Sequence, residues 1–182
     1  MKYIACFGDS LVQGFPFGNK YSWVRHAADK GKFGVLNYGL CGDCCDDIFE
    51  RLRYAALPDY VQHILFLGGA NDIIQMRPQS VIVDDVRKMA AWCAERGYKL
   101  CIVLPLISGE QALNEHLEEL KARMQDAFEQ DKNIYLLDLQ PAIGTDIGAL
   151  RKAYLDGVHP TAATYEAIGQ YAAPLLAAWL EK

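Results

Sequence analysis

Apolar residues in this chain alternate between short solid runs and longer stretches in which they recur every three or four positions. Tyr3 to Phe7 is a run of strand length, broken by Gly8. Ser22 to Lys32 sets Trp23, Val24, Ala27 and Ala28 among charges at helical spacing, with Gly34 as its expected end. Val35 to Tyr38 reads as a second strand, followed by the turn Gly39 to Asp43. Asp43 is the expected cap of a helix through Ile48, Leu52 and Ala55 that Pro58 stops. Val61 to Leu67 is apolar except at Gln62 and His63, as a strand covered on both faces should be. Its turn is Gly68 to Asp72. Ser80 is the expected cap of a helix through Val83, Val86, Ala90 and Ala94 that ends near Gly97. Lys99 to Leu104 is a fourth strand, and a helix from about Glu110 to Asp131 carries Leu113, Leu117, Leu120, Met124 and Phe128 on one stripe. Ile134 to Leu139 is a fifth strand. Pro141 to Gly157 is a polar, glycine-rich connection with at most one short helix, and Thr161 caps a last helix through Ile168, Leu176 and Leu180.

Strand and helix alternate throughout, which predicts an α/β fold, a three-layer α/β/α sandwich on a five-stranded parallel sheet. At 182 residues and 52% hydrophobic the chain is expected to be one domain, 1–182. In a parallel sheet, ligands bind beyond the carboxyl ends of the strands. Three of the five strands end in glycine-bearing turns that hold Ser10, Gly42 and Asn71, so residues far apart in sequence can meet at one edge.

A serine hydroxyl at that edge is a weak nucleophile unless a base stands beside it. The segment Tyr154 to Pro160 supplies one, because Asp156 and His159 are near enough in sequence for one loop to aim the carboxylate at the imidazole. The carboxylate would fix the tautomer, leaving the other ring nitrogen to take the proton of Ser10. The backbone N–H of Ser10, the N–H of Gly42 and the side-chain amide of Asn71 are three candidate donors to the oxyanion such an attack creates. Asp9 reads as an acceptor that organises the loop and is also a candidate substrate-lining residue. Phe15 and Trp23, with Phe17 and Tyr21, either line the cleft or pack in the core; Leu11 is a further candidate lining residue.

Charge narrows the partners. The formal charge of −5 comes without any long acidic or basic block, so neither nucleic acid nor an anionic membrane surface is indicated. Five apolar residues before Gly8 are too few for a secretory signal, and no stretch approaches the ~18 of a membrane span, so the cytoplasm is the expected location. Six cysteines fit that setting as free thiols, with Cys6, Cys93 and Cys101 inside apolar runs. No two histidines have metal-ligand spacing, and neither a metal nor a cofactor is expected.

Gly8-Asp9-Ser10-Leu11 with Gly14, Asn37 through Gly42-Asp43, Gly69-Ala70-Asn71-Asp72 and Asp156-Gly157-Val158-His159-Pro160 resemble, in order, the blocks of the GDSL or SGNH hydrolases. The resemblance spans nearly the whole chain. It implies a flavodoxin-like sheet of order 2-1-3-4-5 and a metal-free esterase or lipase. Ser10 would be nucleophile, Gly42 and Asn71 oxyanion donors, and His159 the base with Asp156. The chain departs from the family at Cys41, where serine or alanine is usual, and at Cys44, where threonine or serine is usual; these thiols either touch substrate or pack. The chain is also short for the family and has no insertion of lid size, which points to small or exposed esters. Hydrolysis of a short acyl ester, such as deacetylation of a sugar, is the expected reaction. Lysophospholipid or thioester hydrolysis, acyl transfer by the same site, and a non-catalytic binding module are the alternatives.

Overall fold

A computed structural model describes residues 1–182. Five strands, β1 (Tyr3–Gly8), β2 (Gly34–Gly39), β3 (His63–Leu67), β4 (Lys99–Val103) and β5 (Ile134–Leu137), form a parallel sheet in the order β2-β1-β3-β4-β5. This is the expected order. β1 pairs β2 on one side and β3 on the other, so the winding direction changes between β1 and β3. That is where doubly wound sheets open a crevice at their carboxyl edge.

Alternate side chains of each strand enter two separate cores. Ile4, Cys6, Leu65, Leu67, Cys101 and Val103 pack against α2 (Trp23–Gly31) and α8 (Ala162–Leu180). Ala5, Phe7, Ile64, Phe66, Leu100 and Ile102 face α3 (Cys45–Tyr54), α5 (Gln79–Glu95) and α6 (Gln111–Phe128). Period-two alternation with both sets apolar is why these strands read as solid runs. Trp23 is 1% exposed in the first of these cores, so it packs and does not line the cleft. Trp179 is buried in the same core.

Several boundaries differ from expectation. Lys32 in the left-handed conformation ends α2, and Gly34 instead opens β2. Cys44 occupies the N-cap position of α3, where its N–H donates to Asp47, while the Asp43 carboxylate pairs with Arg51. α5 begins at Gln79 behind Pro78, one residue before Ser80. Two of the turns expected after strands open into short helices, α1 (Ser10–Gln13) and α4 (Ala70–Ile74). The connection before α8 contains a 3-10 turn at Gln140–Ala142 and α7 (Ile147–Ala153). No helix is long and apolar enough to cross a membrane.

Candidate active site

Ser10 is the first residue of α1, and Asp9 caps that helix by accepting from Leu11 N–H at 2.9 Å. Its own N–H has no intrahelical acceptor, as for any residue in a helix's first turn. The Ser10 carbonyl accepts from Gly14 N–H at 3.0 Å and Phe15 N–H at 3.1 Å, which closes the turn tightly behind the hydroxyl. Asp9 is 1% exposed, so it organises the loop and does not line the cleft, and burial raises its carboxyl to about 7 against the opposing hydrogen bond from Leu11.

The loop between α7 and α8 brings the other partners. Asp156 Oδ1 accepts from the N–H groups of Val158 and His159 at 3.0 and 2.8 Å, while its Oδ2 meets His159 Nδ1 at 2.7 Å. Burial works against the charge of Asp156, but these bonds, led by that from the imidazole, hold its carboxyl at about 2. Leu155 N–H to the His159 carbonyl and Gly109 N–H to the Gly157 carbonyl fasten the loop to itself and to the segment after β4. His159 Nε2 then lies 3.0 Å from Ser10 Oγ, so residues 149 positions apart complete one continuous hydrogen-bonded chain.

Gly42 and Asn71 stand on the neighbouring turns. Gly42 has φ of +87°, which favours glycine; a Cβ there would meet no protein atom, so backbone conformation and not crowding within the protein accounts for the residue. Its N–H makes no hydrogen bond inside the protein. Asn71 Nδ2 donates to the Asp43 carbonyl at 2.9 Å, which places the amide beside the Gly42 turn with a second N–H still available.

Three sequence neighbours of these candidate residues line a narrow apolar crevice: Leu11 after Ser10, Ala70 before Asn71, and Val158 before His159. Ile73, Leu106 and Leu113 are among its other wall residues, with Ser108 as the one polar member, and its cavity volume of ≈ 10 Å³ is close to what one water-sized group occupies. A larger cavity of ≈ 430 Å³ lies at the opposite edge, near the starts of β4 and β5, and contains none of these groups. Phe15 reaches the site, with its ring centroid 4.7 Å from that of His159. Cys41 is exposed and its N–H donates to the Gln13 side chain. Cys44 is buried, and burial followed by the charge of Asp72 raises its thiol to about 11. Burial also raises Cys41, so neither thiol is poised as a thiolate.

Two arginines hold the turns, and neither stood out in the sequence. Arg51 on α3 donates to the carbonyls of Gly8 and Tyr38 as well as to Asp43, joining the ends of β1 and β2 to the Gly42 turn. Arg77 bonds Asp72, Asp85 and Asp46, tying α4 to α5 and α3. Ligand atoms of Cys44, Asp46 and Asp72 lie within 4.8 Å of one another, but both carboxylates already engage Arg77.

The sequence matches the GDSL-like Lipase/Acylhydrolase family over residues 6–167. No curated protein sequence gives a significant match. Among solved structures, a member of the lipolytic protein G-D-S-L family from Veillonella parvula superposes with a TM-score of 0.80 at 22% identity, over 96% of this chain and 98% of that one. The psychrotrophic esterase EstA from Pseudoalteromonas sp. gives 0.80 at 16%, over 100% of both chains. A catalytic mutant of an acetylxylan esterase from Geobacillus stearothermophilus gives 0.77 at 15%, over 97% of this chain and 93% of that one. At these identities the structures speak for the fold, while the match over most of the sequence establishes descent: the chain belongs to the GDSL-like lipase/acylhydrolase family and is an ester-bond hydrolase.

Proposed function

We propose that the protein is a serine esterase of short acyl esters in which Ser10 is the nucleophile, His159 the general base and acid, and Asp156 the group that orients and stabilises the imidazole. The observation that carries this reading is the unbroken series Ser10 Oγ, His159 Nε2, His159 Nδ1, Asp156 Oδ2, with separations of 3.0 and 2.7 Å between residues. His159 Nε2 takes the hydroxyl proton as Ser10 Oγ attacks the ester carbon. The Ser10 and Gly42 N–H groups and the free N–H of Asn71 receive the oxyanion. His159 then gives the proton to the departing alkoxide as the ester C–O bond breaks. Water, deprotonated by the same nitrogen, releases the acid and restores Ser10.

The crevice favours a short acyl group. Its walls are apolar except at Ser108 and include the sequence neighbours of Ser10, Asn71 and His159, and it has room for only a small group. Acetyl is therefore the preferred acyl group, and deacetylation of a carbohydrate ester is consistent with similarity to an acetylxylan esterase. Long-chain lysophospholipids and thioesters fit this crevice poorly. Rates on 4-nitrophenyl esters from acetate to decanoate test the reading. The expected result is fastest turnover of acetate and a loss of about 10³-fold or more in Ser10→Ala. Undiminished activity in that variant would remove Ser10 from the mechanism.

A further inference from the structure

The loop between α1 and α2 exposes three aromatic rings within seven residues: Phe15 at 41%, Phe17 at 36% and Tyr21 at 41%. Phe17 and Tyr21 meet edge to face with centroids 6.1 Å apart. Phe15 rests against the His159 imidazole at 4.7 Å with the rings tilted by 57°. Rings on a loose loop would sample many positions, but the backbone of Phe15 is fixed from two sides. Its N–H donates to the Ser10 carbonyl, and its carbonyl accepts from the hydroxyl of Tyr165 at 2.9 Å. Tyr165 is completely buried. The same core that sets the nucleophile therefore holds an exposed apolar ring beside the base.

Chemistry decides which half of an ester meets that ring. In the acylation step drawn above, His159 Nε2 must protonate the leaving oxygen, so the alcohol half lies alongside the imidazole. The acyl half points elsewhere, into the crevice beside Leu11. We propose that Phe15 is the platform for the alcohol half, with Phe17 and Tyr21 exposed further along the same loop, and that it selects esters of ring alcohols presenting a flat apolar face over esters of small open-chain alcohols. A pyranose offers such a face through its C–H groups and an aryl alcohol through its π-surface. This inference rests on the assignment of Ser10 and His159 made above.

The test compares kcat/KM for ethyl acetate, phenyl acetate and an acetylated methyl glycoside in wild type, Phe15→Ala and Phe15→Trp, with Ser10→Ala in parallel. One aromatic contact supplies a factor of about three to ten. The ratio of ring-alcohol to ethyl ester should fall by about that factor in Phe15→Ala, mainly through KM, and Phe15→Trp should recover it. A fall with the glycoside alone or with phenyl acetate alone identifies which ring the platform takes. An equal loss on all three esters, with a displaced pH profile, would instead make Phe15 a positioning residue for His159 and overturn the platform. An unchanged ratio would also overturn it. Full activity in Ser10→Ala would show failure of the underlying assignment, which is separate from any result at Phe15.

Discussion

Asp9 and Asp156 adjoin Ser10 and His159 respectively, the proposed reacting groups, and their surroundings drive them in opposite directions. Asp156 faces solvent, but hydrogen bonds that include one from the imidazole keep it ionised down to about 2. It can therefore serve His159 throughout the range where an esterase works, and any acid limb of activity above pH 4 belongs to another group. Asp9 is buried with one N–H partner, and its carboxyl is raised to about 7. A raised value means the native state binds this proton more tightly than the unfolded chain does. Asp9 therefore contributes stability that is complete below about pH 4 and lost as pH rises through about 7. Asp9→Asn can keep the acceptor for Leu11 without ever carrying charge. Melting temperatures from pH 5 to 8 should show wild type losing ground to this variant, at about 2–4 °C per kcal/mol for a chain of this size. Parallel curves would place the Asp9 proton elsewhere. Asn71→Ala removes an uncharged donor, so it should lower kcat by about 10²–10³ with little change in KM. A loss confined to KM would mean that Asn71 binds the substrate's ground state.

At the scale of elements, the proposed oxyanion donors sit on turns that are held from a distance. α4 carries Asn71 and Asp72, and the fully buried Asp72 accepts from Cys45 N–H while pairing with Arg77. Arg77→Met would leave Asp72 without its counter-charge and should cost about 3–5 kcal/mol, seen as a lower urea midpoint. A loss below about 1 kcal/mol would show that solvent already neutralises the cluster. This clamp also marks where the sequence stops being informative. Gly68 to Asp72 has the composition of a turn, and only the distant partners of Asp72 make it the start of a helix. Asp43 has the residue type of a cap, yet Arg51 claims its carboxylate and leaves the cap position to Cys44. Arg51 and Arg77 each look like solvated charges, because nothing local records the carbonyls and carboxylates they reach. That Ser10, Asp156 and His159 could meet was legible for the opposite reason: their proposed chemistry is tied to residue type and to position at a strand end and in one short loop.

For the molecule as a whole, solid apolar runs separated by helical periodicity were enough to give the sheet and its two covered faces. They left open whether Trp23 lines the cleft, since an aromatic near the site has the same pattern in either role, and the α2–α8 core settles it. That seam also bears on catalysis. α2 follows the Ser10 loop and α8 follows the His159 loop, so the separation of the proposed nucleophile and base is expected to depend on how closely these two helices approach. Gly169 on α8 allows the approach: a Cβ there would stand 2.3 Å from His26 Cβ and 2.7 Å from the Trp23 carbonyl oxygen. The nearest neighbour is a Cβ and the next is backbone, so the strain cannot be relieved by turning a flexible chain end. Gly169→Ala should therefore push α8 outward, cost about 1–3 kcal/mol and lower the melting temperature. It should also lower kcat beyond any loss of folded protein, because a displacement of about 1 Å at the base can cost 10²-fold. A variant that melts early yet keeps full kcat when folded would show that the bonds of the His159 loop to Gly109 and Ser10, and not the helix seam, set the catalytic distance.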